Sequence, residues 1–194
     1  MLANSLEWWD NEFKENWKVG IDGRLQTSYY CALTFSFLHQ EIFKQFLNCN
    51  NILDFGCALG QSTNMIYSIN KNITGYDFSN EAIKEAKELY PHINFTDKFP
   101  NELFDICYIS NVLEHFYNPF EILTKITKII NKFIIILVPY EQEPNAFHFH
   151  KFYDNYFIAN KVNKFSQVYQ AIIQTYNMEL DGGKQIMYVL EKEV

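Results

Sequence analysis

The sequence predicts an α/β fold: a doubly wound, seven-stranded, mostly parallel sheet with an antiparallel C-terminal hairpin and N-terminal helices. Three observations carry this. Short apolar runs rich in β-branched and aromatic residues alternate with amphipathic helical segments, as expected for strands covered on both faces. A glycine turn joins the first such run to the first such helix. Near the C-terminal end, Asp181-Gly182-Gly183 separates two β-rich runs, 168–178 and 185–191, which is a hairpin signal. Strand, helix, strand in this order implies right-handed crossovers.

Taken in order, residues 1–48 read as a helical cap. Trp8, Trp9, Phe13 and Trp17 follow a helix-like spacing, and 29–47 makes a longer amphipathic segment, the two being broken by Gly20-Ile21-Asp22-Gly23. The aromatics pack these helices onto the sheet; the sharper alternative is a lid that covers a ligand and keeps water away. Strands follow at 51–54, 72–77, 104–110 and 132–138, with helices at 61–69, 80–89 and 119–130. The last helix has Pro119 in its first turn and apolar residues at Phe120, Leu123, Ile126 and Ile130.

With 194 residues, 48% hydrophobic and 20% charged, the chain suits one domain, 1–194, with a sizeable core. A net charge of -7 works against a phosphate-backbone partner, so no nucleic acid is expected. Cys31, Cys49, Cys57 and Cys107 have no CxxC spacing and read as reduced, packed thiols of a cytoplasmic protein. The first residues lack a basic start and an apolar core, and the longest aliphatic run, 133–138, is far short of a membrane span. The expected form is a monomer or homodimer without membrane insertion.

The chemistry concentrates at Ile52-Leu53-Asp54-Phe55-Gly56-Cys57-Ala58-Leu59-Gly60-Gln61-Ser62. A strand feeds a tight turn, and the helix that follows offers its first-turn N–H groups to acceptor atoms. A second apolar run, Asn72-Ile73-Thr74-Gly75-Tyr76-Asp77, ends in an acid 23 residues after Asp54, close to the spacing of a nucleotide-binding βαβ unit. Asp77 can accept from two vicinal ribose hydroxyls. The alternative is that it caps the next helix, a role Ser79 can equally fill.

The order of motifs from about residue 50 onward resembles the class I S-adenosylmethionine-dependent methyltransferases. The family's acid and three alternating glycines correspond to Asp54-Phe55-Gly56-Cys57-Ala58-Leu59-Gly60, with Ala58 in place of the middle glycine. The resemblance implies a Rossmann-like methyltransferase fold with S-adenosyl-L-methionine as cofactor. It is then held by Asp54, Phe55, Gly56, Cys57, Ala58, Gly60, Gln61, Ser62 and Ser79, by Asp77 at the ribose, and by Phe78 against the adenine. Asp97 is implied at the adenine amino group. Phe104-Asp105-Ile106-Cys107-Tyr108-Ile109-Ser110-Asn111-Val112-Leu113-Glu114-His115 is similar to the family's fourth-strand signature, which implies Ser110 and Asn111 beside the methionine part. Val138-Pro139 resembles the step into a substrate loop. A finer resemblance, to small methyltransferases of bacterial surface-polysaccharide gene clusters, rests on Gly23-Arg24-Leu25-Gln26-Thr27 and the histidine-rich loop. It implies Arg24 and Gln26 at the cofactor carboxylate; the alternative for Arg24 is a solvated side chain in a loop. A dehydrogenase is the rival; against it stand the missing third glycine at dinucleotide spacing and the Leu-Glu-His step.

Methyl transfer is an in-line displacement, so positioning comes first. A hydroxyl acceptor also needs a base, for which histidine is suited. His115 follows the fourth strand, where it can equally brace the turn. His148 and His150 alternate with Phe147 and Phe149, which sends both imidazoles to one face of an extended segment. The positions that hold a divalent cation in some members are here Asn111, Glu114 and His115. One carboxylate and one imidazole make a poor hard-cation site, so no metal is expected. The expected acceptor is a small molecule: a hydroxyl, phosphoryl or phosphoramidate oxygen of a surface-glycan precursor, such as an activated sugar or capsule precursor. The alternatives are a small aromatic or quinone metabolite, or a cofactor-binding partner protein without catalysis.

Overall fold

The structure, a computed structural model, describes residues 2–17, 23–175 and 183–193. The strands form a seven-stranded sheet in the order β3-β2-β1-β4-β5-β7-β6, and the chain divides into two compact units, Met1–Asn101 and Glu102–Val194.

In the first unit, Ser5 opens α1 (Leu6–Asn11) by accepting from the Trp8 N–H at 3.2 Å. A π-helical turn, Glu12–Asn16, follows and closes with Trp17 N–H donating to the Glu12 carbonyl at 2.7 Å. The single amphipathic segment expected over 29–47 is two helices, α2 (Gly23–Phe37) and α3 (Gln40–Leu47). The break falls at Leu38-His39 because the His39 ring caps α3, its Nδ1 accepting from the Glu41 N–H at 3.3 Å. Of the Gly20-to-Gly23 break, residues 20–22 lie outside the described residues.

β1 (Ile52–Phe55), β2 (Ile73–Tyr76) and β3 (Asn94–Thr96) are parallel, with α4 (Gln61–Ile69) and α5 (Asn80–Leu89) between them. The register pairs Phe55 with Tyr76 and Tyr76 with Thr96. Gly56, Asp77 and Asp97, each the residue after a strand, therefore leave the sheet at the same carboxyl edge. That edge is where ligands bind in open α/β sheets.

In the second unit, β4 (Phe104–Ser110) lies parallel to β5 (Ile130–Pro139), and β5 is antiparallel to β7 (Lys184–Lys192). β6 (Phe165–Gln174) pairs antiparallel with β7, which is the expected hairpin; its turn, 176–182, lies outside the described residues. The helix expected over 119–130 is α6 (Pro119–Ile126), and Ile130 belongs instead to β5, fully buried and paired with Phe104. Apolar periodicity cannot separate a last helical position from the first position of the next strand. α7 (Tyr156–Ala159), a single turn, had no signal in the sequence. β4, the apolar stretch of β5 and most of β7 are buried without alternation, as their continuous apolar composition requires. All four cysteines are buried and none is in a disulfide. Among the described residues no helix is long and apolar enough to cross a membrane.

Candidate functional site

The turn after β1 is built from left-handed backbone. Gly56, Ala58 and Gly60 have φ of 78°, 48° and 85°, so the alternation of the motif is an alternation of conformation. Glycine takes this region freely, whereas alanine there costs about 1–2 kcal/mol. Two contacts offset that cost. The Ala58 N–H donates to Asp77 Oδ2 at 3.0 Å, and the residue packs in a cluster with Phe13, Leu59 and Ala82, against which Trp9 and Trp17 also lie. The N-terminal aromatics thus pack on the turn itself. The Gly56 and Cys57 N–H groups both donate to the Tyr76 carbonyl, at 2.7 and 3.0 Å, which ties the turn to the end of β2.

Gly60 caps α4 without a side chain, so no side-chain oxygen of the cap takes the helix's first-turn N–H groups. An added Cβ at Gly60 would stand 2.7 Å from the Phe95 ring. Behind the turn, Asp54 Oδ2 accepts from both Ser62 Oγ and Thr63 Oγ1 at 2.6 Å. Ser62, a candidate cofactor residue, also braces Asp54, and Thr63, which carries no signal in the sequence, does the same. Gln61 is 7% exposed and its Oε1 has no hydrogen-bond partner. A buried amide oxygen of this kind is ordinarily paired with a donor.

Asp77 is 4% exposed, with Oδ2 on the Ala58 N–H and Oδ1 accepting from the Ser79 N–H at 2.9 Å. Each oxygen retains a second lone pair for a ribose hydroxyl. The helix cap is Ser79, whose Oγ accepts from the Ala82 N–H at 3.1 Å and donates to Asp10 Oδ1. Asp77 is therefore not needed as the cap. Burial pushes both Asp54 and Asp77 up to about 6, against hydrogen bonds that pull the other way. Burial, then the Asp54 and Asp77 charges, raise the Cys57 thiol well above its ordinary value, so it stays protonated. Phe78 is 41% exposed. Asp97 follows β3 and is half-buried; with Asp77 it adds to the burial that lifts Tyr76 to about 12. Arg24 and Gln26 lie half-buried in the first turn of α2, not in a loop.

In the second unit, Ser110 ends β4 and Asn111 turns the chain at φ 52°, its N–H donating to the Leu137 carbonyl at 2.8 Å. The next turn, Leu113–His115, buries Glu114 and half-buries His115. The histidine loop is stapled to this turn: the Glu114 carbonyl accepts from the Phe149 and His150 N–H groups at 2.7 and 3.2 Å. His115 Nδ1 donates to the Phe147 carbonyl at 3.0 Å, since a carbonyl can only accept. Burial, and then the neighbouring His148, lower His115 to about 4, which holds it as a neutral imidazole.

The alternation does not give His148 and His150 one role. The His148 ring lies edge-on to His115, centroids 4.8 Å apart, and its Nδ1 contacts Gln142 Oε1 at 2.6 Å. His150 Nε2 instead meets the Tyr156 hydroxyl, while its ring packs on Phe152. Its pKa is lowered by burial and partly restored by a hydrogen bond to the Tyr117 backbone. Ligand atoms of Glu114, His115 and His148 all lie within 4.8 Å of one another. Gln142, Tyr156 and the Phe147 carbonyl had no signal in the sequence, because their partners are separated from them by loop geometry alone.

Residues 53–133 match the family model described as "Methyltransferase domain". No curated protein matches the chain. Among solved structures, the chain is similar to magnesium protoporphyrin IX methyltransferase from Synechocystis PCC 6803 with bound SAM, at 12% identity, TM-score 0.72 and 97% coverage of each chain. It is also similar to the N-methyltransferase NodS from Bradyrhizobium japonicum WM9 in complex with S-adenosyl-L-homocysteine, at 15% identity, TM-score 0.69, covering 99% of this chain and 100% of that one. The [4+2]-cyclase SpnF matches at 12% identity and TM-score 0.66, over 84% and 81% of the chains.

Proposed function

We propose that this chain transfers the methyl group of S-adenosylmethionine to an oxygen of a small-molecule acceptor. The fold is the Rossmann-like methyltransferase fold, and the family match over residues 53–133 supports methyl transfer with this cofactor. A fold alone would not, since a cyclase shares it. The observation that carries the reading is the shared carboxyl edge of β1, β2 and β3. There a left-handed turn, a buried carboxylate that is not the helix cap, and an exposed Phe78 follow one another in register.

In this reading the turn from Asp54 to Ser62 holds the methionine side, with Gln61 Oε1 taking a donor from the ligand. Asp77 receives the ribose hydroxyls, Phe78 lies against the adenine and Asp97 meets its amino group. Arg24, Gln26, Ser110 and Asn111 complete the set. When bound, the cofactor supplies a sulfonium methyl that a nucleophile displaces in line, with the S–C electron pair leaving on sulfur.

The proton of an acceptor hydroxyl must go to a base, and of the three histidines His150 fits best. Its Nε2 meets the Tyr156 hydroxyl, whose place an acceptor hydroxyl would take. Its other edge is oriented by the Tyr117 backbone. His115, lowered to about 4, is too weak a base near neutrality. The resemblance over residues 23–27 and the histidine loop supports a surface-glycan precursor as acceptor, an activated sugar or capsule precursor. A second reading, an aromatic or quinone acceptor, is favoured by the Tyr117 and Phe149 rings, stacked at 4.0 Å and 2° with Tyr117 76% exposed. Calorimetry with S-adenosylhomocysteine tests the donor half, and absence of binding would overturn the reading.

A further inference from the structure

We propose that the chain forms a homodimer by antiparallel pairing of β6 with the β6 of a second copy, about a twofold axis at Ile172. The strand order ends at β3 on one side and at β6 on the other. An edge strand exposes unpaired N–H and C=O groups, and proteins blunt such edges by keeping them short, charging them or breaking them with proline. β3 is blunted by length, at three residues. β6 runs for ten, Phe165–Gln174, and holds no charged residue and no proline in a chain that is 20% charged.

The alternation of hydrogen bonds sets which backbone groups of β6 face outward. The Thr175 N–H donates to the Gly183 carbonyl at 3.0 Å, and the pairing with β7 is unbroken from Tyr169 to Gln174. The odd-numbered residues from 169 to 175 therefore bond to β7, and Gln170, Ile172 and Gln174 turn their backbone groups away from it. Among the described residues no strand takes those groups. This outward row is symmetric about its centre. With the twofold axis at Ile172, that residue stands opposite its own copy and Gln170 stands opposite Gln174, so no charge meets a charge. A second copy is the occupant this edge fits, because one neutral patch that matches itself closes an isologous pair.

Side chains beside the edge agree with this. Ile172 is 42% exposed and lies on the face that carries Gln170. On that face Gln167 and Gln170 Oε1 accept from the Phe157 and Asn155 N–H groups, at 3.2 and 2.9 Å, which holds α7 next to the strand. Ile158 of α7 and Val168 at the irregularity of β6 are both exposed and add apolar surface for a partner to cover.

The test is sedimentation equilibrium of the chain in reducing buffer, where a reversible monomer–dimer equilibrium is expected. Ile172→Lys should raise its dissociation constant about tenfold or more, because two ammonium groups would then stand opposite each other. Crosslinking reads the register. A short bismaleimide should join Ile172→Cys chains into dimers, since opposed Cα atoms of a hydrogen-bonded pair lie about 5.5 Å apart. Two Gln174→Cys residues would be separated by about 13 Å along the strands and should stay uncrosslinked. The four native cysteines are buried, and the parent chain is the blank. A chain that stays monomeric up to about 0.5 mM, an equilibrium unchanged by Ile172→Lys, or crosslinking at 174 and not at 172 overturns the proposal. Should Ile172→Lys fail to fold by circular dichroism, the two cysteine variants decide.

Discussion

The turn of the first unit and the histidine loop of the second place ionisable groups under cover by opposite routes. Asp54 and Asp77 are held by neighbours on adjacent strand, turn and helix: Ser62, Thr63, Ser79 and Ala58 all lie within 19 residues of the carboxylate they serve. His115 is held by Phe147, 32 residues away. In both regions burial outweighs hydrogen bonding, lifting the carboxylates to about 6 and lowering His115 to about 4. Each region therefore favours the neutral form of its own groups.

The sharpest break in this comparison is a variant that silences one region and leaves the other intact. His150→Ala should lower kcat by about 10²–10⁴ while S-adenosylhomocysteine affinity stays at the parent value. Loss of affinity instead would mean the loop also holds the cofactor. Asp77→Asn should do the reverse, weakening cofactor binding by about 10–100-fold, read by calorimetry, because it removes hydrogen bonds to a charged group. Ser79 keeps capping α5, so the fold should persist.

Gly60→Ala probes the turn's geometry. With φ at +85° and the Phe95 ring 2.7 Å from the new methyl, it should cost about 2–4 kcal/mol in urea unfolding. Between 3.8 and about 6 the folded Asp54 and Asp77 bind more protons than the unfolded chain does. Their contribution to stability is thus complete below 3.8 and is lost as pH rises through about 6. Cofactor affinity should run oppositely, rising through about 6 as Asp77 ionises beside Asp54 and Asp10, and Asp77→Asn should flatten that rise. The smallest effect is expected for Ala58→Gly. Relief of left-handed strain and loss of a packed methyl are each about 1 kcal/mol, so thermal unfolding should move little.

The first unit was legible because its signals are local. α4 and α5 fall at the expected 61–69 and 80–89, and β1 and β2 within a residue of theirs. The misplaced boundaries have specific causes. His39 as a helix cap is rare enough to hide the break between α2 and α3, and Ile130 serves equally well as a helix position or a strand start. In the histidine loop the residue types were visible and their pairing was not. Alternation treated His148 and His150 alike, whereas Asn145 turns the backbone at His148 and the Tyr156 hydroxyl lies at His150.

By itself the sequence determined the alternation of strand and helix, the glycine turn, the acid after the second strand and the nature of the ligand they suit, while β3 (Asn94–Thr96) gave no apolar run long enough to read. These follow from spacing within one βαβ unit, where backbone geometry fixes distance. Only the tertiary structure decided that Ala58 is held left-handed by Trp9, Phe13 and Trp17, that Ser79 and not Asp77 caps α5, and that His148 joins Glu114 and His115. The first and last of those pairings close loops of tens of residues, over which spacing no longer specifies which side chains meet; the cap spans three residues, and spacing leaves it open between Asp77 and Ser79.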